Sequence, residues 1–380
     1  MNFELSEEQQ MLRDMIREFA EKEVSPQAKS LEKNHEFPTQ ILTKLAELGI
    51  LGMAIPSEFG GIKTDNLSIV LTIEELSRAM PSLAVIVSVH CSLFCYPILR
   101  FGSQAIKEKY LPPAAKGAIL GAFSLTEPGA GSDVTGIKTK AVKKDDYYIL
   151  NGTKAWVTGG GNADAVLVLA QSEMEGRNKL SAFVVEKTFP GYHVSKIEDK
   201  MGLNASRTVE LVFENCQVPA ENLLGEEGNG IKIALHCLDG SRVGIAAQSV
   251  GLSQKALDEA VKYAKQREAF GETISSFQAI QFMLADIGTQ LEASRYLTYH
   301  AADLYDRGKP FTKEAAMAKL YASEAANRIV YQALQVHGGY GYSKEFVIEQ
   351  LYRDARVLSI YEGTSEIQRM VIARELLKDS

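Results

Sequence analysis

The sequence predicts an α+β protein in three parts: an N-terminal all-α domain, a middle β-domain built as a short-stranded barrel or sandwich, and a C-terminal four-helix bundle. Three observations carry this. Apolar residues recur at helical spacing through the first third and again from Gly228 onward. Between these parts lie short runs rich in Val, Leu, Tyr and Phe, separated by Gly, Asn and charged pairs. The order α, β, α has no βαβ alternation, which argues against a Rossmann domain. The expected boundaries divide the chain into 1–117, 118–225 and 226–380.

Taken in order, Met11, Leu12, Met15, Ile16, Phe19 and Ala20 place a helix from Glu7 to Lys29, and a second runs from Pro38 to Leu48. Pro56, Gly60 and Gly61 mark 53–61 as loop. Helices follow over 67–78, 83–101 and 103–115, and much of 83–99 is apolar enough to be buried on several sides. Strands are expected over 118–126, 138–142, 147–151, 154–158, 165–171, 181–186 and 209–219, with hairpin tips at Asp145-Asp146 and around Gly176. Long helices then cover 231–266, 277–307 and 312–336, with a shorter one over 345–355, jointed at Gly271, Gly308-Lys-Pro310 and Gly338-Gly339. A β-rich run over Arg356–Ile360 precedes a last helix.

Composition narrows the function. The chain is 46% hydrophobic and 23% charged, with a net charge of -7 and no basic stripe, which argues against nucleic acid as a partner. No run of about 18 uninterrupted apolar residues offers a membrane span. The acidic start of the chain is unlike a basic targeting peptide, so the cytoplasm is the expected compartment. Cys91, Cys95, Cys216 and Cys237 form no Cys-x-x-Cys pair and read as reduced core residues. The six histidines show no His-Glu-x-x-His spacing, so no metal site is expected.

The stretch richest in chemistry is Tyr361-Glu-Gly-Thr-Ser-Glu-Ile-Gln368. Gly363 breaks the chain, and Ser365 and Gln368 have the spacing of a capping box, so Glu362 should sit just before a helix N-terminus. A carboxylate there is either a solvated turn residue or a fixed base. Three further stretches leave bare backbone or a lone reactive type. Phe123–Asp133, which contains Thr-Glu-Pro-Gly-Ala-Gly-Ser-Asp, follows a strand and is either a plain turn or a polar cradle. Lys154-Ala-Trp-Val-Thr158 holds the single tryptophan, on residues alone a packing group. Gln266-Arg-Glu-Ala-Phe-Gly271 breaks two helices and offers an arginine suited to pyrophosphate. Asp239 and Arg242, three apart on a helix, read as a surface ion pair.

Together these motifs resemble the acyl-CoA dehydrogenase family, and the resemblance extends from about Leu5 to Leu377. It implies the same three-domain layout, FAD as cofactor, and dehydrogenation of an acyl-CoA thioester to the trans-2-enoyl-CoA. Glu362 would take the α-proton. The base assignment falls on it because Ser241 stands where a few members carry theirs. FAD contacts implied by the resemblance are Phe123, Leu125, Thr126, Gly131, Ser132, Trp156, Val157, Thr158, Thr364 and Glu366. Arg267, Phe270, Phe277, Gln278, Gln335, Val336, Gly338 and Gly339 would hold FAD from a neighbouring subunit. Ser132, Asp239, Arg242, Tyr361 and Gly363 would contact the acyl-CoA. The implied partners are an electron-transfer flavoprotein and further copies of the chain, as a tetramer built as a dimer of dimers. The helix 86–103 looks most like the short-chain branch, where Phe94 and Tyr96 are candidates to shorten the acyl pocket. Butyryl-CoA or a similar short acyl-CoA is the expected substrate, with branched short-chain or medium-chain thioesters, an acyl-CoA oxidase and a non-catalytic flavin- or CoA-binding scaffold as the alternatives.

Overall fold

The structure is a computed structural model that describes residues 4–174 and 177–378. Its N-terminal part comprises α1 (Glu7–Phe19), α2 (Ser25–Asn34), α3 (Thr39–Glu47), α4 (Asn66–Ala79), α5 (Pro81–Val89), α6 (Tyr96–Phe101) and α7 (Gln104–Ala115). Ser6 starts α1 with a full capping box: its hydroxyl accepts from the Gln9 N–H while the Gln9 side chain accepts from the Ser6 N–H. The helix expected over Glu7–Lys29 is present but wider-wound at Ala20–Val24, where a π turn joins α1 to α2. A second π turn, His90–Cys95, joins α5 to α6. The stretch Pro81–Phe101 has the length and mean hydropathy (1.9) of a membrane span, yet 83% of its most apolar window is buried inside the fold. It is a core helix here. All four cysteines are buried and free.

The middle part is one mixed sheet of eight strands: β1 (Gly121–Ser124), β2 (Lys140–Lys144), β3 (Tyr147–Val157), β4 (Ala165–Met174), β5 (Arg177–Glu186), β6 (Tyr192–Ile197), β7 (Val209–Pro219) and β8 (Leu223–Leu224). The spatial order is β6-β7-β3-β2-β4-β5-β8, with β1 parallel to β4. Two details depart from the sequence reading. The strands expected over 147–151 and 154–158 are one strand, β3, which ends at Val157 and whose pairing with β7 shifts register between Leu150 and Gly152. A bulge there absorbs the turn-like Asn-Gly signal. The strand β6 was not foreseen, because nearly all its residues face solvent and it lacks an apolar face. Asp145-Asp146 does form the β2–β3 tip, with Asp145 at φ +49°. The Gly176 tip lies outside the described residues.

The C-terminal part contains α8 (Gly230–Gln266), the small hairpin β9 (Glu268–Ala269) and β10 (Glu272–Thr273), α9 (Gln278–Asp306), α10 (Thr312–His337), α11 (Val347–Ala355) and α12 (Ser365–Leu376). Alanine at Ala315, Ala318, Ala322, Ala325, Ala326 and Ala333 lets α10 pack closely, and all are buried. The run Arg356–Ile360 is no strand: Arg356–Ser359 is a 3-10 turn that continues α11. Its β-branched residues are outweighed by the helix they follow. The last helix is capped by Thr364, one residue earlier than expected, whose hydroxyl accepts from the Ile367 N–H at 3.4 Å. Gln368 is therefore free for another task.

Candidate active site

Gln368 serves the turn that carries Glu362. Its amide donates to the Glu362 carbonyl at 3.1 Å and to the Gly363 carbonyl at 2.9 Å. Both turn residues are left-handed, at φ +53° and φ +89°. The first costs a non-glycine residue about 1–2 kcal/mol. At Gly363 a side chain is also barred by space, since a Cβ would stand 2.6 Å from Gln368 Nε2. The surrounding structure holds this strained turn from several sides. Lys319 of α10 donates to the Gly363 carbonyl at 2.7 Å, Ser365 donates to Glu324 at 2.6 Å, and Tyr361 donates to the Gln248 side chain of α8.

The Glu362 carboxylate is bound by Ser241 of α8, whose hydroxyl donates to it at 2.8 Å. Burial pushes the carboxyl above its ordinary value, while the Ser241 bond and the charges of Lys319 and Arg242 pull it back. The Glu362 N–H has no acceptor among the described residues, so it remains available to an oxygen of another molecule.

Asp239 and Arg242 are not a surface pair. The Arg242 side chain is only 5% exposed, bonded to Asp239, which also accepts from the Thr312 hydroxyl at 2.7 Å. Arg242 Nε is buried without a partner among the described residues, a donor waiting for an acceptor. Phe94, by contrast, faces the core: it packs edge-on to Tyr110, and a Cβ on Gly121 would fall 2.0 Å from its ring. Tyr96 turns to His236 and Tyr305. Gly244, one turn past Ser241, instead lets Ser88 of α5 close in, with a Cβ there only 2.4 Å from the Ser88 hydroxyl.

The two motifs around the sheet are joined. The Ala155 N–H donates to the Thr126 carbonyl at 2.9 Å. The fully buried Lys154 ammonium bridges Glu127 (2.8 Å) and the Leu125 carbonyl (3.0 Å). Glu127 also accepts from the N–H groups of Lys138 and Thr139. Phe123 and Leu125 are partly buried, whereas Ser132 is exposed and Gly131 borders open space. Trp156 stands 60% exposed at φ +60°, an unusual state for an indole, while the Val157 side chain is buried in the sheet core, leaving only its backbone for a ligand. Thr158 follows directly.

The remaining candidates gather in an open groove of about 670 Å³ lined by Arg267, Phe270, Phe277, Val336, Gly338 and Gly339. Gln278 opens α9 and Gln335 lies in the last turn of α10, beside that groove in sequence. Arg267 makes no ion pair among the described residues; its guanidinium lies 5.7 Å from the Tyr340 ring centre. Phe270 is 98% exposed. Cβ atoms on Gly338 and Gly339 would meet nothing within 4 Å. Unpaired cation, bare backbone and exposed aromatic rings are a donor set that suits a dinucleotide with a flat ring system. None of the sheet-side candidates lines this groove. Thr364 is the α12 cap and Glu366 is in its first turn.

Reasoning on the sequence missed Lys319, Gln248, Gln368 and the Lys154–Glu127 pair as parts of the site. A signal existed for Lys319: it falls on the buried stripe Ala315, Lys319, Ala322, Ala326, where a charge has no ordinary place.

Comparison with known proteins identifies the family. Family models match residues 6–118 (acyl-CoA dehydrogenase, N-terminal domain), 122–216 (middle domain) and 228–377 (C-terminal domain). The mitochondrial short-chain specific acyl-CoA dehydrogenase of Rattus norvegicus is 50% identical over 376 residues, covering 99% of this chain and 91% of that one. The acryloyl-CoA reductase (NADH) of Anaerotignum propionicum is 47% identical, covering 100% and 96%. A chain solved in work on the electron transferring flavoprotein of Acidaminococcus fermentans superposes with a TM-score of 0.97 at 48% identity, covering 100% of both. Matched in all three parts, this chain belongs to the acyl-CoA dehydrogenase family, FAD-dependent oxidoreductases that act on CH–CH bonds.

Proposed function

We propose that the protein desaturates a short-chain acyl-CoA, butyryl-CoA or one of similar length, to the trans-2-enoyl-CoA, with Glu362 as the base. The observation that carries this reading is the half-buried Glu362 carboxylate on its strained turn, raised in basicity by desolvation and held by Ser241. A thioester α-proton is only weakly acidic, so a carboxylate at its ordinary value is a poor base for it. Desolvation narrows that gap. The unpaired Glu362 N–H is free to donate to the thioester oxygen, where negative charge grows as the proton leaves. Arg242, with its unpartnered Nε, and Asp239 are proposed contacts of the CoA portion, together with Ser132, Tyr361 and Gly363.

Bound FAD supplies the acceptor for the β-hydride. Its proposed contacts are the sheet-side residues Phe123, Leu125, Thr126, Gly131, Ser132 and Trp156–Thr158, with Thr364 and Glu366. The groove residues would serve FAD from a second copy of the chain, since none of the sheet-side residues lines that groove. The proposed assembly is a homotetramer with FAD shared between subunits, and an electron-transfer flavoprotein is the proposed acceptor. The short-chain specific relative supports a short acyl chain. The reductase relative favours a second reading, the reverse reaction, in which protonated Glu362 returns the proton to the α-carbon.

Anaerobic titration of the purified protein with butyryl-CoA tests the proposal: the visible flavin band is expected to bleach. Across a ladder of thioesters, each extra methylene should change kcat/KM by about 10–200-fold at most, since a methylene is worth about 1–3 kcal/mol. Flavin unchanged by butyryl-CoA but bleached by NADH, with an enoyl-CoA reoxidising it, would select the reverse reading. Oxygen uptake without any protein acceptor would point to an oxidase.

A further inference from the structure

Lys319 is buried at the heart of the bundle, and the Gly363 carbonyl is its one hydrogen-bond partner among the described residues. That carbonyl already accepts from Gln368, a neutral donor equally suited to it. A hydrogen bond alone therefore does not explain a charge on a stripe of alanines, where desolvation makes an ammonium costly. The charge does act on one neighbour of chemical importance. Glu362 is adjacent in the chain to the residue Lys319 grips, and the two attract each other.

We propose that Lys319 is a positioning residue for proton transfer, gripping the Gly363 carbonyl to hold the Glu362 turn and keeping the half-buried Glu362 carboxylate ionised before substrate arrives. This rests on Glu362 being the base. The charged groups around the pair are Arg242 from α8, Glu324 from α10 itself and Glu366 from α12; Ser241 adds its hydroxyl. Arg242 repels the Lys319 ammonium, and both oppose the desolvation that would neutralise Glu362. Desolvation lowers Lys319 to about 8, so the group still carries its charge near neutrality. The division of labour is specific: Gln368 fixes geometry without charge, Lys319 supplies geometry and charge together.

The test is exchange of the butyryl-CoA α-proton in deuterated water, followed by NMR across pH, with the holoenzyme and its visible spectrum as a check on FAD content. In the wild type, exchange should fall on the acid side as Glu362 protonates. Lys319→Met and the milder Lys319→Gln are expected to move that acid limb upward by about one pH unit, the scale of a nearby opposite charge. Gln368→Leu, which removes the neutral clamp only, should slow exchange without moving the limb. If both Lys319 variants keep FAD and exchange with the wild-type limb, the proposal is overturned. Infrared titration of the carboxyl band that Glu362→Gln removes reads the same shift directly, and an unmoved band in both Lys319 variants would likewise overturn the proposal. A wild-type holoenzyme that exchanges no α-proton would overturn the base assignment as well, and with it this role.

Discussion

Glu362→Gln is expected to retain FAD and the fold while lowering the rate of flavin bleaching by butyryl-CoA by roughly 10²–10⁴, the usual contribution of a positioned general base. The amide is nearly isosteric and still accepts from Ser241, so the turn should survive. It cannot take a proton. Rapid-mixing absorbance under anaerobic conditions separates this from a binding defect, because ligand affinity should change far less than the rate. A near wild-type rate would remove Glu362 from the mechanism. The pH dependence has a definite sign. Burial raises the Glu362 carboxyl above the ordinary 4.5, so the unliganded wild-type enzyme should lose its base as pH falls through that raised value. Ser241→Ala removes one of the groups pulling the value down and should move the acid limb to higher pH.

The second large effect concerns the sheet. Lys154→Met is expected to destabilise the protein by about 3–5 kcal/mol, because it leaves Glu127 without its cation inside the fold. Denaturant unfolding monitored by circular dichroism measures this. FAD retention should fall in parallel, since the Lys154 ammonium also holds the Leu125 carbonyl beside Thr126. The double variant Lys154→Met with Glu127→Gln should recover part of the loss, as no unpaired charge then remains. Burial alone would raise Glu127, but the donors Lys154, Thr139 and the Lys138 N–H outweigh it and hold the carboxyl below its ordinary value. Its contribution is thus complete above 4.5 and is lost as pH falls through the lower, folded-state value. The stability gap between wild type and Glu127→Gln should therefore narrow in acid. A Lys154→Met protein as stable as wild type, with full FAD, would show that the bridge is dispensable.

Much of this protein is legible along the chain alone. The order of helices, strands and helices follows from short-range periodicity, because a buried face repeats every 3.6 or every 2 residues wherever one exists. Glu362 before a helix is legible for the same local reason: Gly363 breaks the chain and polar caps follow. Where local signals compete, the reading fails by small amounts. Thr364 rather than Ser365 caps α12, Arg356–Ser359 continues a helix instead of forming a strand, and Gly152 makes a bulge inside β3 rather than a gap between strands. The exposed strand β6 has no buried face to announce it. Phe94 illustrates a different limit, since only the packing of α5–α6 against β1 decides that its ring enters the core.

What the tertiary structure alone decides is the meeting of residues far apart in sequence. Ser241, Lys319, Glu362 and Gln368 come from α8, α10, the turn and α12, and Lys154 finds Glu127 across the sheet. Sequence determined that a carboxylate sits at a helix start, because that depends on its neighbours in the chain. Whether that carboxylate is basic depends on which donors and charges surround it and how much water they exclude, and those are properties of helices packed together.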